Sequence, residues 1–424
     1  MTVKSVKGFR DILPGESALW RWADAKARDV FRSWGFREIV IPVVEHTELF
    51  VRSLGDATEV VEKQMYSFSD LRGESLTLRP EGTASVVRAF VEHHLDQGES
   101  VTRLFYAGPM FRYERPQKGR YRQFFQIGAE LIGDASPEAD AEVLSLLDTL
   151  LVRVGVAGTM LALNSLGHPG CRPSYLEALH AYFGRRREAL CVDCVRKLEK
   201  NPLRILDCKV EGCAEASAEA PSILDHLCAD CRVHFEAVRA RLDLIGVKFV
   251  IDPRIVRGLD YYVRTAFEIT TDRLGAKNAV AAGGRYDGLV KALGGPDLPG
   301  IGFAIGMERL AALLPADLDV PPDTPRVLLI GTGTEAARVS AFALADTLRR
   351  GGVDVAWGGD RSLKSQLRRA DKMGASFVVI LGDDELVRDE VVLRDMLHQS
   401  QEKLPRAGVS DVLRRRLGLD HVRP

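Results

Sequence analysis

Residues 111–126, FRYERPQKGRYRQFFQ, are the most informative stretch of the sequence. Apolar, aromatic-rich runs flank this stretch, which predicts two strands joined by a basic loop over residues 101–132. Six cations and one anion, Glu114, lie between Arg103 and Arg122. Arginine grips phosphate oxygens with a rigid fork of donors and keeps its charge, so guanidiniums fixed on a hairpin suit a polyphosphate. A solvated basic loop is the alternative that charge alone leaves open.

Length and composition indicate a globular chain of several domains. The chain has 424 residues, 46% hydrophobic and 28% charged, and about 150 residues per domain gives two or three domains. A net charge of −1 excludes a global polycation, so any nucleic-acid site must be local. No apolar run reaches the roughly 18 residues that span a bilayer, and the N-terminus lacks an apolar signal core. We therefore expect a cytoplasmic protein without a membrane partner.

Seven cysteines need a chemical explanation. One of them, Cys171, stands alone in the sequence. The other six are Cys191, Cys194, Cys208, Cys213, Cys228 and Cys231. Disulfides do not suit a reducing compartment. The two Cys-x-x-Cys pairs match a structural zinc pattern with the two intervening cysteines as alternative ligands, but reduced thiols on short helices explain them too. The sequence leaves structural zinc open, and our predicted site includes no metal ligand.

Hydrophobic periodicity predicts an α+β body, a helical insertion and a C-terminal α/β domain. Residues 1–170 and 241–318 combine helices with hairpins and strand-like runs, which is typical of a mainly antiparallel sheet. Residues 171–240 hold all seven cysteines and little strand character, so we interpret them as a mostly helical insertion. Proline-rich residues 314–325 lead into alternating strands and helices, which indicates a separate α/β domain over residues 319–424.

Several elements can be placed within these parts. Apolar residues at helical spacing predict helices over residues 19–34 and 137–154. Residues 67–78 predict a further hairpin. Residues 36–42 form a β-rich run, which Pro42 ends or places at a sheet edge.

Motifs for a nucleotide site are incomplete, so arginines would have to replace a phosphate loop. Gly331-Thr-Gly333 lacks the third glycine of the dinucleotide fingerprint, and the sequence has no Gly-x-x-x-x-Gly-Lys-Ser/Thr motif. Residues 257–262, RGLDYY, mix a cation, an anion and two hydroxyls, which favours a site over a packing role. Arg309 taken alone is better explained by a surface ion pair than by a site.

Two acids could serve as acceptors for a substrate that carries an ammonium and an imidazole. Glu81 lies at a predicted helix start, where partnering the helix dipole is the alternative. Glu130 follows Gln126 by four residues on a strand, so both share one face.

Together these residues resemble the histidyl-tRNA synthetases of bacterial type, a family of class II aminoacyl-tRNA synthetases, over nearly the whole chain. Three segments resemble the class motifs, and two, RGLDYY and GGRYDG, resemble segments particular to the histidine enzymes. One departure is Phe125, where bacterial members often carry His. In chain order, the five segments are residues 8–42, 111–126, 257–262, 283–288 and 300–310.

The resemblance implies a fold and an activity. The fold would be a class II catalytic domain with an antiparallel sheet and a C-terminal anticodon-binding domain. The activity would be the ATP-dependent attachment of L-histidine to tRNA(His) through histidyl-adenylate, with Mg²⁺ expected and a homodimer as the working form. Two alternatives are a non-catalytic, histidine-sensing regulatory paralogue and a zinc-bearing RNA-binding module without catalysis.

The resemblance also implies a role for each matching residue. The catalytic residues would be Arg112, Arg257 and Gln126. The ATP phosphates would be held by Arg112, Arg120, Arg257 and Arg309. Histidine would be bound by Glu81, Gly82, Thr83, Arg112, Gln126, Glu130, Arg257, Tyr261 and Tyr262. Of these, Glu81 and Tyr262 would meet the imidazole, and Gln126 and Glu130 the α-amine. The acceptor end of the tRNA would meet Arg115 and Gln117.

The charge of the C-terminal domain is only a weak indication of RNA binding. From Arg326 onward it has 17 Lys and Arg against 14 Asp and Glu, so only the resemblance directs it towards tRNA. Lys364, Arg368 and Lys372 share one face of a predicted helix, for which a solvated surface is the alternative.

Overall fold

The computed structural model describes residues 2–55, 58–116, 119–274, 279–318, 320, 324–359 and 361–419. Two compact units make up the chain, the first comprising Met1–Ile12 and Leu19–Leu318 and the second Leu13–Ala18 and Asp319–Pro424. None of the helices in the described ranges combines the length and apolarity that a membrane crossing requires.

Helices and strands are distributed along the whole described chain. The α-helices are α1 (Glu16–Ser33), α2 (Thr47–Leu54), α3 (Thr83–Glu92), α4 (Pro137–Arg153), α5 (Arg172–Gly184), α6 (Val192–Lys200), α7 (Glu211–Ser217), α8 (Ala229–Leu244), α9 (Leu289–Ala292), α10 (Met307–Leu313), α11 (Glu335–Arg350), α12 (Leu363–Lys372), α13 (Asp383–Arg388) and α14 (Val409–Leu417). The strands are β1 (Arg37–Glu38), β2 (Val44–His46), β3 (Tyr66–Ser69), β4 (Ser75–Leu78), β5 (Thr102–Phe111), β6 (Gln123–Ile132), β7 (Met160–Ser165), β8 (Phe249–Ile251), β9 (Val263–Thr270), β10 (Ala279–Arg285), β11 (Gly300–Gly306), β12 (Val327–Gly331), β13 (Val355–Trp357), β14 (Phe377–Leu381), β15 (Glu390–Asp395) and β16 (Gln401–Pro405).

A large sheet organises the first unit. Its strand order is β1-β5-β6-β11-β10-β9-β7-β8. The outer pairs β1–β5 and β7–β8 are parallel, and the inner pairs are antiparallel. The predicted mainly antiparallel α+β body is therefore confirmed. β5 and β6 pair from Thr102 opposite Ile132 to Phe111 opposite Gln123, which confirms the basic hairpin.

The main core of the first unit lies against this sheet, and α1 and α4 are among the helices that cover it. α1 contributes Phe31, whose ring stacks on Phe105 of β5 with centroids 4.8 Å apart. α4 contributes an apolar face and is preceded by Ser136, whose side chain caps the helix by accepting the amide of Ala139. Both helices match the sequence prediction because their apolar spacing is strong and local. The hairpin predicted over residues 67–78 is also present, as β3 and β4.

The β-rich run over residues 36–42 forms a shorter strand than predicted. Only β1 pairs with β5, at the edge of the sheet. The carbonyls of Ile41 and Pro42 instead accept hydrogen bonds from the buried guanidinium of Arg79, at 2.5 and 3.1 Å. The Arg79 side chain thus binds backbone carbonyls that would otherwise be available to accept hydrogen bonds from a neighbouring strand.

Residues 171–240 are helical, as their sequence predicted, and contain no strand at any position. They hold α5, α6, α7 and most of α8 and enclose a small core of their own. α8 continues to Leu244 and joins the main core, where His234 Nε2 lies 2.9 Å from Asp140 of α4.

The second unit contains a five-stranded sheet in the order β13-β12-β14-β15-β16. Its first three strands are parallel and the last two pairings are antiparallel. α11 packs against β12 and β13 through apolar residues such as Ala341 and Leu348. The predicted α/β character is confirmed, although β16 and α13 carried no signal strong enough to predict.

Candidate active site

A cavity in the first unit collects most of the predicted site residues. Its walls come from the start of α3, the β5–β6 hairpin, residues 257–262, strands β9 to β11 and the start of α10. The predicted residues that line it are Glu81, Thr83, Arg112, Arg120, Gln126, Arg257, Tyr261, Tyr262 and Arg309. Segments that are distant in sequence therefore converge on one pocket.

Arg112 and Arg257 are each held in place by protein contacts. Arg112 Nε donates to the carbonyl of Pro80 at 2.8 Å, and its guanidinium lies over Phe124. Arg257 Nη1 donates to Glu268 Oε1 at 2.6 Å, and its guanidinium lies over Tyr262. The side chain of Arg257 is only 14% exposed. Fixing the guanidiniums before a ligand arrives lowers the cost of ordering them.

Arg120 and Arg309 form a second positive group in the same cavity. Arg120 is paired with Glu114, and Arg309 Nη1 donates to the carbonyl of Ala279. Burial, and then the charge of Arg120, lower the pKa of Arg309. Two guanidiniums that repel one another make a favourable place for a polyanion.

Glu81 lies at the start of α3 and points its carboxylate at the backbone. Its oxygens accept the amides of Thr83 and Ala84 at 2.7 and 2.8 Å. Burial raises the pKa of Glu81, whereas these amides and the charge of Arg112 oppose the rise. The Tyr261 hydroxyl lies 3.5 Å from Glu81 Oε2. The Glu81 carboxylate therefore contacts the start of α3, as the helix-start interpretation expects, and it also lines the cavity.

Glu130 lies deeper than Gln126 and behind the cavity wall. It is fully buried and accepts hydroxyl hydrogen bonds from Thr83 at 2.7 Å and Tyr286 at 2.8 Å. Burial raises the pKa of Glu130 to about 8 against these donors. Gln126, by contrast, lines the cavity, and its buried Oε1 has no hydrogen-bond partner among the described residues. An unsatisfied acceptor at this position suits a donor on a ligand.

Three predicted residues do not line the cavity. Besides Glu130 these are Gly82, which packs against the ring of Tyr106, and Arg115, which is exposed on the hairpin loop. A Cβ on Gly82 would lie 2.2 Å from that ring, so glycine is required there by packing. Gln117 lies outside the described residues.

Sequence reasoning missed the residues that hold the site together. Glu268 orients Arg257, Glu114 pairs with Arg120, and Tyr286 donates to Glu130. Glu308 accepts the amide of Phe125 and lines the cavity. Glu268, Tyr286 and Glu308 each bond to a residue of a different strand or loop, so sequence spacing does not reveal these contacts. Glu114 and Arg120 lie in the same hairpin loop, but the charge pattern alone did not predict their pairing.

The cysteines form two separate groups, which corrects the sequence interpretation. The two Cys-x-x-Cys pairs belong to different groups, because each pair lies beside a different set of cysteine and histidine side chains. Cys171, which stands alone in the sequence, joins the pair at 228 and 231 together with His168. The pair at 191 and 194 joins Cys208 and Cys213. The helical fold therefore brings together residues that spacing alone could not match.

Comparison with known proteins agrees with this geometry. The model of one family, described as histidyl-tRNA synthetase, matches residues 8–310, and an anticodon binding domain matches residues 326–416. The chain belongs to the histidyl-tRNA synthetase family. Its C-terminal unit is accordingly the anticodon-binding domain of a class II synthetase, and the predicted fold class is confirmed.

Relatives resemble the chain along its full length. The histidine–tRNA ligase of Syntrophotalea carbinolica is 51% identical over 415 residues, which cover 97% of this chain and 98% of that protein. The ligase of Trichlorobacter lovleyi is 52% identical over 404 residues, covering 95% and 96%. The solved apo structure of S. aureus histidyl-tRNA synthetase has a TM-score of 0.80 at 34% identity and covers 97% of this chain and 100% of that one. These matches support a synthetase over the regulatory paralogue and the non-catalytic module.

Proposed function

We propose that this pocket attaches L-histidine to tRNA(His) in two steps. The histidine carboxylate first attacks the α-phosphorus of ATP, which forms histidyl-adenylate and releases pyrophosphate. The 3′-hydroxyl of the terminal tRNA adenosine then attacks the acyl carbon and releases AMP. The convergence of four arginines with Glu81 and Gln126 in one cavity carries the proposal, because it offers sites for a triphosphate and an amino acid side by side.

The arginines supply what the first step requires. The nucleophile is already an anion, so the step needs positioning and neutralisation of phosphate charge rather than a strong base. Arg112 and Arg257 would hold the carboxylate and the α-phosphate, and Arg120 and Arg309 the β- and γ-phosphates. The buried Nε of Arg257 has no hydrogen-bond partner in the described structure, which suits an added phosphate oxygen. ATP would enter as its magnesium complex.

The geometry favours a different assignment of the residues that contact the α-amine and the imidazole of histidine than the resemblance implies. The reacting carboxylate must face Arg112, whose Nε bonds to Pro80, the neighbour of Glu81. The α-amine lies two bonds from that carboxylate, so Glu81 and Gln126 are the acceptors within its reach. The imidazole would then extend inward towards Tyr262 and the buried Glu130. Glu130 and Gln126 are four strand residues apart, about 13 Å along the strand, which disfavours a shared ammonium.

Four further expectations complete the proposal. Arg115 is exposed on the hairpin loop, as a contact with the tRNA acceptor end would require, and Gln117 would accompany it. A homodimer built through residues 8–42 would be the working form. Both reaction steps would take place in the cytoplasm, where the tRNA is used. The insertion at 171–240 and the boundary near 319 remain our proposed domain limits.

Replacing Arg257 tests the proposal. We expect Arg257→Ala to lower histidine-dependent pyrophosphate exchange by about 10²–10³-fold, the loss typical of removing one fixed charge-stabilising donor. Arg254→Ala is the control, because Arg254 is exposed and bonds only to Asp252 among the contacts described. Circular dichroism and thermal unfolding would establish that both variants fold. Near-normal exchange by a folded Arg257→Ala protein would refute the role.

A further inference from the structure

All seven cysteines of the chain fall into two groups of four ligands with His168 as the eighth member. The groups are His168, Cys171, Cys228 and Cys231, and Cys191, Cys194, Cys208 and Cys213. Within each group, the four ligand atoms lie within 4.8 Å of one another. Thiols that served only for packing would not be expected to cluster in groups of four, whereas the ligands of one metal ion must lie close together.

The distances approach those of four-coordinate zinc. Bonds of about 2.3 Å to sulfur and 2.0–2.1 Å to nitrogen place tetrahedral ligands about 3.5–3.8 Å apart. His168 Nδ1 lies 3.0 Å from Cys171 Sγ, 3.5 Å from Cys231 Sγ and 3.9 Å from Cys228 Sγ. In the second group, the Sγ atoms of Cys191 and Cys208 are 3.9 Å apart. The cysteines are free thiols rather than disulfides.

Backbone amides surround the sulfur atoms. Each Cys-x-x-Cys pair opens a helix, with Cys191 at the N-cap position of α6 and Cys228 at that of α8, where Cys228 Sγ accepts the amide of Cys231. The amide of Cys191 donates to Cys213 Sγ at 3.1 Å, and the amide of Cys228 donates to Cys171 Sγ at 3.4 Å. Amide donors and helix N-termini stabilise the negative charge that a metal-bound sulfur carries.

We propose that residues 168–231 bind two structural Zn²⁺ ions, one in each group. Three cysteines with one histidine, and four cysteines, are the ligand sets of closed structural zinc sites. Thiolate-rich tetrahedral sets also exclude magnesium and calcium, which prefer oxygen ligands. Four protein ligands leave no open position for a reacting water, so both ions are structural rather than catalytic.

The position of each site explains what it does for the fold. The first site joins the entry of the insertion, at His168 and Cys171, to its exit at Cys228 and Cys231. The second site lies inside the insertion and ties α6 to the segment before and within α7. Four of the twelve buried residues in the insertion core are cysteines, so the apolar core is small. Metal binding adds folding free energy to such small modules.

Metal content of the full-length protein tests the proposal directly. After purification under reducing conditions and dialysis, we expect two zinc ions per chain by plasma mass spectrometry. Cys171→Ser and Cys208→Ser should each remove one ion, and the double variant both. His226→Ala is the matched control, because it replaces a histidine of the same insertion that belongs to neither group, and it should keep two ions.

A second measurement uses the wild-type protein, so it tests the proposal even if a Cys→Ser variant does not fold. Titrating the seven thiols of the wild-type protein with an organomercurial should release both zinc ions, which a colorimetric chelator detects. Protein without zinc after growth in zinc-supplemented medium, iron in place of zinc, or disulfides within a group would overturn the proposal. If a folded Cys→Ser variant kept both zinc ions, the proposed site that contains the replaced cysteine would be refuted. These readouts are independent of aminoacylation, so the proposed function and the zinc sites can fail separately.

Discussion

At the residue scale, the buried carboxylate of Glu130 depends on a glycine on the neighbouring strand. Gly302 lies opposite Glu130, and a Cβ there would be 1.9 Å from Glu130 Oε2 and 2.5 Å from the carbonyl of Ala129. Side-chain motion cannot relieve the backbone contact, so we expect Gly302→Ala to lower the free energy of unfolding by about 1–3 kcal/mol and to weaken histidine binding. Thermal unfolding and calorimetry measure both.

Gly306→Ala on the same strand is the control for this prediction. Its nearest Cβ neighbour would be the flexible side chain of Arg309, at 3.9 Å. We expect it to unfold at the wild-type temperature, and a Gly302→Ala protein that did the same would contradict the packing argument.

Glu130 also gives stability a pH dependence. Its pKa rises from 4.5 to about 8 on folding, so between these values the native state holds a proton that the unfolded chain has lost. The free energy of unfolding therefore falls as pH rises through this range, by up to about 1.4 kcal/mol per pH unit. Glu130→Gln is neutral at every pH and should flatten this slope.

Urea denaturation at several pH values between about 5 and 8 checks the prediction. Some slope should persist in the variant, because burial also raises the pKa of Glu308 to about 7. Parallel stability curves for the wild type and Glu130→Gln would show that Glu130 does not titrate in this range.

At the element scale, hydrophobic periodicity predicted those helices and strands whose formation depends on contacts within one segment of the sequence. The β5–β6 hairpin and helices α1 and α4 follow from apolar spacing within one segment. β1 ends early because the guanidinium of Arg79, about forty residues later in the sequence, binds the carbonyls of Ile41 and Pro42, which follow β1. No local sequence pattern predicts this contact. Sequence motifs likewise located Arg112 and Arg257, but not Glu268 of β9, which holds the guanidinium of Arg257.

The insertion makes contacts with the segment that carries Arg257. Arg204, in the short turn Pro202–Ile205, donates to the carbonyl of Gly258 at 3.0 Å and to Asp260 Oδ1 at 2.5 Å. We expect Arg204→Ala to loosen this segment and to raise the KM for histidine several-fold in pyrophosphate exchange. Arg187→Ala, which removes an exposed pair with Glu199 in the same insertion, should leave the KM unchanged. Equal KM values for the two variants would argue against this coupling.

At the scale of the whole molecule, the proposed active site and the anticodon-binding domain lie in different units. The cavity that we propose for ATP and histidine lies in the first unit, and the second unit contains the anticodon-binding domain. Charge counts could not reveal the second role, because the domain is only slightly basic. The three cations Lys364, Arg368 and Lys372 on α12 are exposed and spaced four residues apart, so they present one positive face.

That face gives the last prediction, because phosphate contacts dominate nucleic-acid affinity. Reversing two charges, Lys364→Glu with Arg368→Glu, should raise the KM for tRNA about tenfold or more and reduce its salt dependence. Pyrophosphate exchange needs no tRNA and should stay unchanged. The control reverses two other exposed cations of this unit, Arg350→Glu with Lys403→Glu. An equal effect of both pairs would indicate general charge repulsion, and no effect of the α12 pair would make that face a solvated surface.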